Sequence, residues 1–327
     1  MDNRKSAGWV MGMALSVLFA FFVGEIGLSA AEPSKPFKIT VLGDLHLPGN
    51  RPEAKKRVLQ TIDSEADVDM VVAVGDLCRS TGTEAEYSFV KGFLADMKKP
   101  LLVINGNHDF VFQDKTGERA LTLGTAQSRS RKLDLFLRTF GMEGLYFAKK
   151  EAGYHLVFLA PDDLEAQTYC PISTKQLQWF DWVLHENPGL PTIVFFHSPV
   201  WGKAVTDQNP ALSDFVAQPI DKVGEILRKH PQVFLWVCGH VHMGVNHPLL
   251  ASPLNVFDGR INNVIACDLD GRSVLSGMGP GLQNHEDLWT RSLILLPDKV
   301  TVRTYDHRNG RWLDELERSF PVSHRTP

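Results

Sequence analysis

The stretch Phe37-Lys38-Ile39-Thr40-Val41-Leu42-Gly43-Asp44-Leu45-His46 joins an apolar, β-branched run to a glycine and two metal-binding side chains. The run predicts a strand buried on both faces, because its apolar character is nearly continuous rather than alternating. The glycine suits a sharp exit from it, where φ turns positive or backbone must approach closely. The same layout recurs down the chain. Met70–Val74 leads to Gly75-Asp76, and Leu101–Ile104 leads to Gly106-Asn107-His108-Asp109. Thr192–Phe196 leads to His197-Ser198-Pro199, and Val233–Val237 leads to Gly239-His240-Val241-His242.

Further strands are predicted at Tyr154–Leu159 and Asn263–Cys267, and helices at Pro52–Glu65, Thr83–Met97, Thr174–Glu186 and Ile220–Lys229. Ser173 is placed to cap the third helix. Alternation of this kind argues for an α/β domain. Ser292–Leu296 and Lys299–Tyr305 flank Pro297-Asp298 and read as a hairpin, so the sheet is mixed. Residues 110–132 and 201–219 have weak periodicity and read as loops beside the site. No stretch is rich enough in Pro, Gly or Ser to divide the chain, which leaves one domain over 37–327 after a linker at 32–36.

The N-terminus is a separate element. Arg4 and Lys5 precede an apolar run from Trp9 to Val23, and Ser29-Ala30-Ala31 follows. This is the layout of a secretory signal peptide over 1–31, cleaved after Ala31. The apolar run is shorter than the roughly 20 residues that a spanning helix needs, and Glu25 closes it. An uncleaved membrane anchor is the alternative. The expectation is an exported chain, periplasmic or secreted, with no membrane segment once the signal is removed.

The 327 residues carry a formal net charge of −4, which excludes the strongly basic footprint of a nucleic-acid binder. A small phosphorylated substrate remains compatible, because bound metal ions supply their own positive charge. Four cysteines are present, at 78, 170, 238 and 267. An exported protein can pair them, and buried free thiols are the alternative. No Cys-x-x-Cys spacing occurs, so no thiolate metal site is expected.

Each block alone is weak: Asp-x-His is usually a turn, and Gly-Asp after a strand is commonplace. Their conjunction at one predicted sheet edge is informative, since ligands of open α/β sheets gather beyond the strand ends. Carboxylate, imidazole and amide groups suit Mn, Fe or Zn. Asp44 and His46, one residue apart beyond a strand, can grip the same ion, and His240 and His242 share that spacing. Asp76 stands alone and can bridge two, and Asn107 adds a neutral oxygen. Two aspartates contribute roughly −2 against about +4 or +5 for two ions, so the site stays positive and favours phosphate. Two ions about 3.5–4 Å apart stabilise attacking and leaving oxygens in an in-line displacement at phosphorus.

The five blocks resemble the calcineurin-like metallophosphoesterases over about Phe37 to Asp306. The resemblance implies an α/β/β/α sandwich: two facing mixed β-sheets flanked by helices. It implies a metal-dependent phosphoric ester hydrolase, attacking phosphodiesters with a metal-bridging hydroxide. Two ions would be held, one by Asp44, His46, Asp76 and His242, the other by Asp76, Asn107, His197 and His240. His108 would contact the phosphate and protonate the leaving oxygen, oriented by Asp109. Residues 173–180 and the His-x-Pro at 197–199 resemble the cyclic-nucleotide phosphodiesterase type. Ser198 departs from the second His of many members. Arg79 stands where purple acid phosphatases place a Tyr, so no iron–tyrosinate colour is expected. Alternatives on the same fold are a phosphomonoesterase, a nucleotide pyrophosphatase and a non-catalytic binding module. Arg79, Trp201 and Lys203 are read as two solvated charges and a packing aromatic, with phosphate or base contacts as the alternative.

Overall fold

The computed structural model describes residues 35–114, 121–208, 210–272 and 287–322. The predicted signal segment and most of the linker lie outside them. In chain order come β1 (Phe37–Leu42), α1 (Pro52–Ser64), β2 (Met70–Val74), α2 (Glu84–Leu94), β3 (Leu101–Ile104) and the single turn α3 (Asn107–Phe110). They are followed by α4 (Ala126–Phe140), β4 (Phe147–Glu151), β5 (Tyr154–Phe158), α5 (Thr174–His185), β6 (Thr192–Phe195), α6 (Lys203–Gln208), α7 (Ile220–Lys229) and β7 (Val233–Cys238). The last strands are β8 (Val256–Phe257), β9 (Ile261–Ile265), β10 (Trp289–Leu295), β11 (Lys299–Asp306), β12 (Arg311–Trp312) and β13 (Arg318–Pro321).

These strands form two mixed sheets. One runs β12-β11-β10-β1-β2-β3, with β13 on β11, and the other runs β4-β5-β6-β7-β9-β8. The core strands β1, β2 and β3 are parallel, as are β5, β6, β7 and β9. Because side chains alternate across a strand, each core strand feeds two apolar layers. Ile39, Val41, Val72 and Val74 meet Leu156, Phe158, Phe195 and Val237 between the sheets. Val71 and Ala73 point outward onto Val58, Leu59 and Ile62 of α1 and Tyr87 and Val90 of α2. On the far side, Val157, Val194 and Trp236 pack on Phe180 and Leu184 of α5 and Val223 and Leu227 of α7. Burial on both faces is why these strands read as unbroken apolar runs.

The blocks therefore do not line one sheet edge. Those at Asp44, Asp76 and Asn107 leave the first sheet, and those at His197 and His240 leave the second. The helix α4 was not predicted, and its first half falls within a stretch read as loop. Its inward positions include Arg129 and Lys132 beside Leu133 and Phe136. Lys132 Nζ donates to the carbonyls of Thr81 and Phe112 at 2.6 Å, and Arg129 Nη1 donates to Ala166 at 2.7 Å. Two buried cations serving loop carbonyls break the apolar periodicity that marks a helix. Ser173 does cap α5, accepting from Gln176 N at 3.2 Å. All four cysteines are buried and free. Among the described residues no helix is long and apolar enough to cross a membrane.

His155 on β5 is 2% exposed and lies opposite Lys150, with Nδ1 lacking a hydrogen-bond partner. Burial, assisted by Lys150, pushes its pKa from 6.5 down to about 4. A depressed histidine pKa means that the unfolded chain binds the proton first, so stability is lost as pH falls through the window from 6.5 to about 4. His155→Leu is expected to flatten the decline of melting temperature across that window. Parallel thermal melts of variant and parent check this, and identical slopes would refute it.

Candidate metal centre

Asp44, His46, Asp76 and His242 are buried with their donor atoms all within 4.8 Å of one another. Asp44 and His46 come from the exit of β1, Asp76 from that of β2 and His242 from that of β7, so the two sheets must face each other to assemble the group. The left-handed backbone falls on the candidate ligands themselves. Asp44, His46, Asp76, His240 and His242 have φ of 46°, 43°, 50°, 67° and 46°. Such conformations cost free energy in non-glycine residues and gather at functional sites. Of the four block glycines only Gly75 has a positive φ. Gly239 serves close approach instead: a Cβ there would lie 2.5 Å from Asp44 Oδ2.

Hydrogen bonds fix how the imidazoles point. His46 Nδ1 donates to the Cys78 carbonyl at 3.3 Å, His197 Nδ1 to Val74 at 2.8 Å, and His242 Nδ1 to Asp268 Oδ2 at 2.8 Å. Each partner can only accept, so in the neutral rings Nε2 carries the lone pair. The Nε2 atoms of His46 and His242 then face each other at 3.2 Å. His197 Nε2 faces Asn107 Oδ1 at 3.0 Å and Asp76 Oδ1 at 3.2 Å. His240 Nε2 is buried with no hydrogen-bond partner. Converging lone pairs need positive charge between them, and this donor set of carboxylate, imidazole and amide fits first-row divalent cations. Asp76 reaches both halves, with Oδ2 3.7 Å from His46 Nε2 and Oδ1 3.2 Å from His197 Nε2.

The electrostatics agree. Burial works to raise the Asp76 carboxyl, but His197, His108 and His46 around it hold it well below the usual range. Burial opposes charge on His197 and His242, yet Asp76 lifts the first and Asp268 with Asp44 the second, each to about 9. Burial raises Asp44 to about 6 against the pull of His242 and His197.

Asp109 does not orient His108. Its carboxylate accepts from Gly106 N at 2.7 Å, Cys78 N at 2.8 Å and Leu77 N at 3.3 Å, tying the exits of β2 and β3 together. The Ser80 carbonyl orients His108 instead, accepting from Nδ1 at 2.7 Å. Trp201 is 1% exposed and donates from Nε1 to Asn255 Oδ1 at 3.1 Å, so it is a packing residue; Arg79 and Lys203 are exposed. Asp268 was missed by the motif reading, although Asp268-Leu269-Asp270-Gly271 follows an apolar run just as the other blocks do. It lacks both the histidine that marks four of those blocks and the glycine that precedes Asp76 in the other. Gly43 pairs with Asp268 across the sheets, and Asp268 Oδ1 accepts from Asp270 N at 2.8 Å. Asp270 in turn forms a buried ion pair with Lys55.

A family model for calcineurin-like phosphoesterases matches residues 37–244. The chain belongs to the calcineurin-like phosphoesterases. A relative from Fibrobacter succinogenes, described as a probable cyclic nucleotide phosphodiesterase, is 34% identical over 89 residues, which is 25% of this chain and 34% of that protein. The chain thus spans about a third of that relative's length. A probable cyclic nucleotide phosphodiesterase from Moraxella catarrhalis is 24% identical over 223 residues, covering 66% of this chain and 75% of that one. The structure of a dimetal phosphatase from Danio rerio superimposes with a TM-score of 0.56 at 15% identity, covering 88% of this chain and 99% of the other, and shows the shared fold.

Two outcomes are expected. Asp268→Asn removes the charge behind His242 and should weaken the ion held with Asp44 and His46 by about 10–100-fold, the usual cost of losing an outer partner. Calorimetric metal titration reads this, and unchanged affinity at both positions would exclude the role. The second concerns protons. His197 and His242 hold protons below about 9 in the cation-free centre, so metal uptake at neutral pH displaces them. Proton release measured at constant pH should be clear near neutrality and fade as pH rises through about 9.

Proposed function

We propose that this phosphoesterase hydrolyses small phosphodiesters, with His108 passing a proton to the departing oxygen. Two cations, one with Asp44, His46, Asp76 and His242 and one with Asp76, Asn107, His197 and His240, would supply an activated water and neutralise charge at phosphorus. The single observation that carries the reading is the contrast between His108 and the other imidazoles of the site. His46, His197, His240 and His242 are buried, whereas His108 is only partly so. Its ring lies edge-on to that of His46, with centroids 4.9 Å apart. With Nδ1 engaged on Ser80, Nε2 is left for substrate.

Burial lowers the His108 pKa, opposed by Asp76, so the ring rests neutral. A bound phosphate anion favours the charged ring, which gives Nε2 a proton only when substrate is present to receive it. The phosphodiester preference draws on the likeness to the two bacterial probable cyclic nucleotide phosphodiesterases and on the His197-Ser198-Pro199 pattern. The basic start and apolar run at the N-terminus support export as part of the same proposal.

A panel on purified chain loaded with Mn, Fe or Zn tests the substrate class, using bis-(p-nitrophenyl) phosphate, p-nitrophenyl phosphate, cyclic AMP and ADP-ribose. Preference for the diester and cyclic AMP is expected. Preference for the monoester or for ADP-ribose would replace the reading, and inactivity on all four would favour a binding module. His108→Ala should keep both metals while turnover drops by about a hundredfold or more, the effect of losing a positioned acid. Wild-type turnover in that variant would remove His108 from the chemistry.

A further inference from the structure

Cys170 is the thiol that the ligand inventory left out. Its sulfur and ring nitrogens of His197 and His240 all lie within 4.8 Å of one another, and all three residues are buried. Three separate segments meet here: the loop before α5, the exit of β6 and the exit of β7. The loop is fixed by backbone pairing, since Gln218 N donates to the Cys170 carbonyl at 3.1 Å and Ile172 N donates to the Gln218 carbonyl at 2.8 Å. Ser198, small and fully buried, sits beside the thiol. A second observation points to a ligand independently: His240 is 4% exposed, and its Nε2 has no hydrogen-bond partner. Buried polar atoms in native proteins are nearly always satisfied, so such an atom calls for an explanation. Among the described residues, Cys78, Cys238 and Cys267 join no comparable group.

We infer that Cys170 joins His197 and His240 as a ligand in the second half of the metal centre, which makes the two halves chemically unlike. This rests on the two-cation reading proposed above. The half built from Asp44, His46, Asp76 and His242 offers carboxylates and imidazoles only. The other offers two imidazoles, the shared carboxylate, the Asn107 amide and a thiol. Thiolate selects zinc, ferrous iron or cobalt over manganese and magnesium. The second position therefore takes the softer ion, and the first accepts harder ones. Ligation breaks the Cys170 S–H bond and forms a sulfur–metal bond, with the proton passing to solvent; a metal-bound thiol is deprotonated outright. No oxidant or reductant takes part.

The test uses the full purified chain, stripped of metal and titrated with cobalt(II) while absorbance is followed. Two ions per chain and a near-ultraviolet sulfur-to-cobalt charge-transfer band are expected. Cys170→Ala should lose the band, and Cys238→Ala should keep it. Two bound ions without the band, or a band that survives Cys170→Ala, would overturn the inference and leave the two-cation reading standing. Fewer than two ions in the wild type would overturn both. X-ray absorption on the zinc-loaded wild type needs no substitution. A sulfur atom in the zinc shell supports the assignment, and a shell of oxygen and nitrogen alone overturns it.

Discussion

Everything at this centre turns on the Asp76 carboxylate. One oxygen faces His197 and accepts the His108 backbone N–H at 2.8 Å, while the other faces His46. A buried carboxylate is costly unless positive charge compensates it. Here His197, lifted to about 9, supplies that charge at 3.2 Å, and cations would do so more completely. The demand extends to the whole fold, because β2 must end opposite β6 and β7 for one carboxylate to serve both sides. The apolar layer between the sheets holds that juxtaposition.

The backbone around Asp76 carries the consequence. Five candidate ligands adopt left-handed conformations that side chains normally avoid. The positions that are glycine mostly have ordinary φ and exist for proximity, with Gly239 against Asp44 and Gly106 against Asp76 and His197. Backbone strain at the ligands and space at the glycines both require a well-packed scaffold, since either would relax in a loose one. Asp109 belongs to that scaffold: it ties the Gly106, Leu77 and Cys78 amides and so locks two strand exits to each other.

Most of the fold was legible because each core strand is apolar on both faces and α1, α2, α5 and α7 are amphipathic, with side-chain caps on α2 and α5. β1, β2, β3 and α7 match their expected limits. α4 was not legible, since Arg129 and Lys132 occupy its inner face and bond to loop carbonyls. Residue type and spacing marked seven candidate ligands that the fold brings together. Asp268 and Cys170 were not legible, because neither follows the glycine that marks Asp44, Asp76 and Asn107, and neither has a histidine beside it. The expectation that Asp109 steers His108 failed for a related reason. Adjacency in sequence suggested a contact, but α3 turns the carboxylate toward backbone amides and leaves the ring to Ser80.

By itself the sequence determined the class of chemistry. No single block decides it, but five blocks of aspartate, histidine and asparagine at the ends of buried strands point together to metal, and residue identity does not depend on the path of the chain. Only the tertiary structure decided which lone pairs converge, which oxygen of Asp76 serves which half, and which histidine stays within reach of solvent. Those are matters of direction and distance between segments as far apart as Asp44 and Asp268. No local pattern encodes them, because they arise only when two sheets close on a shared apolar layer.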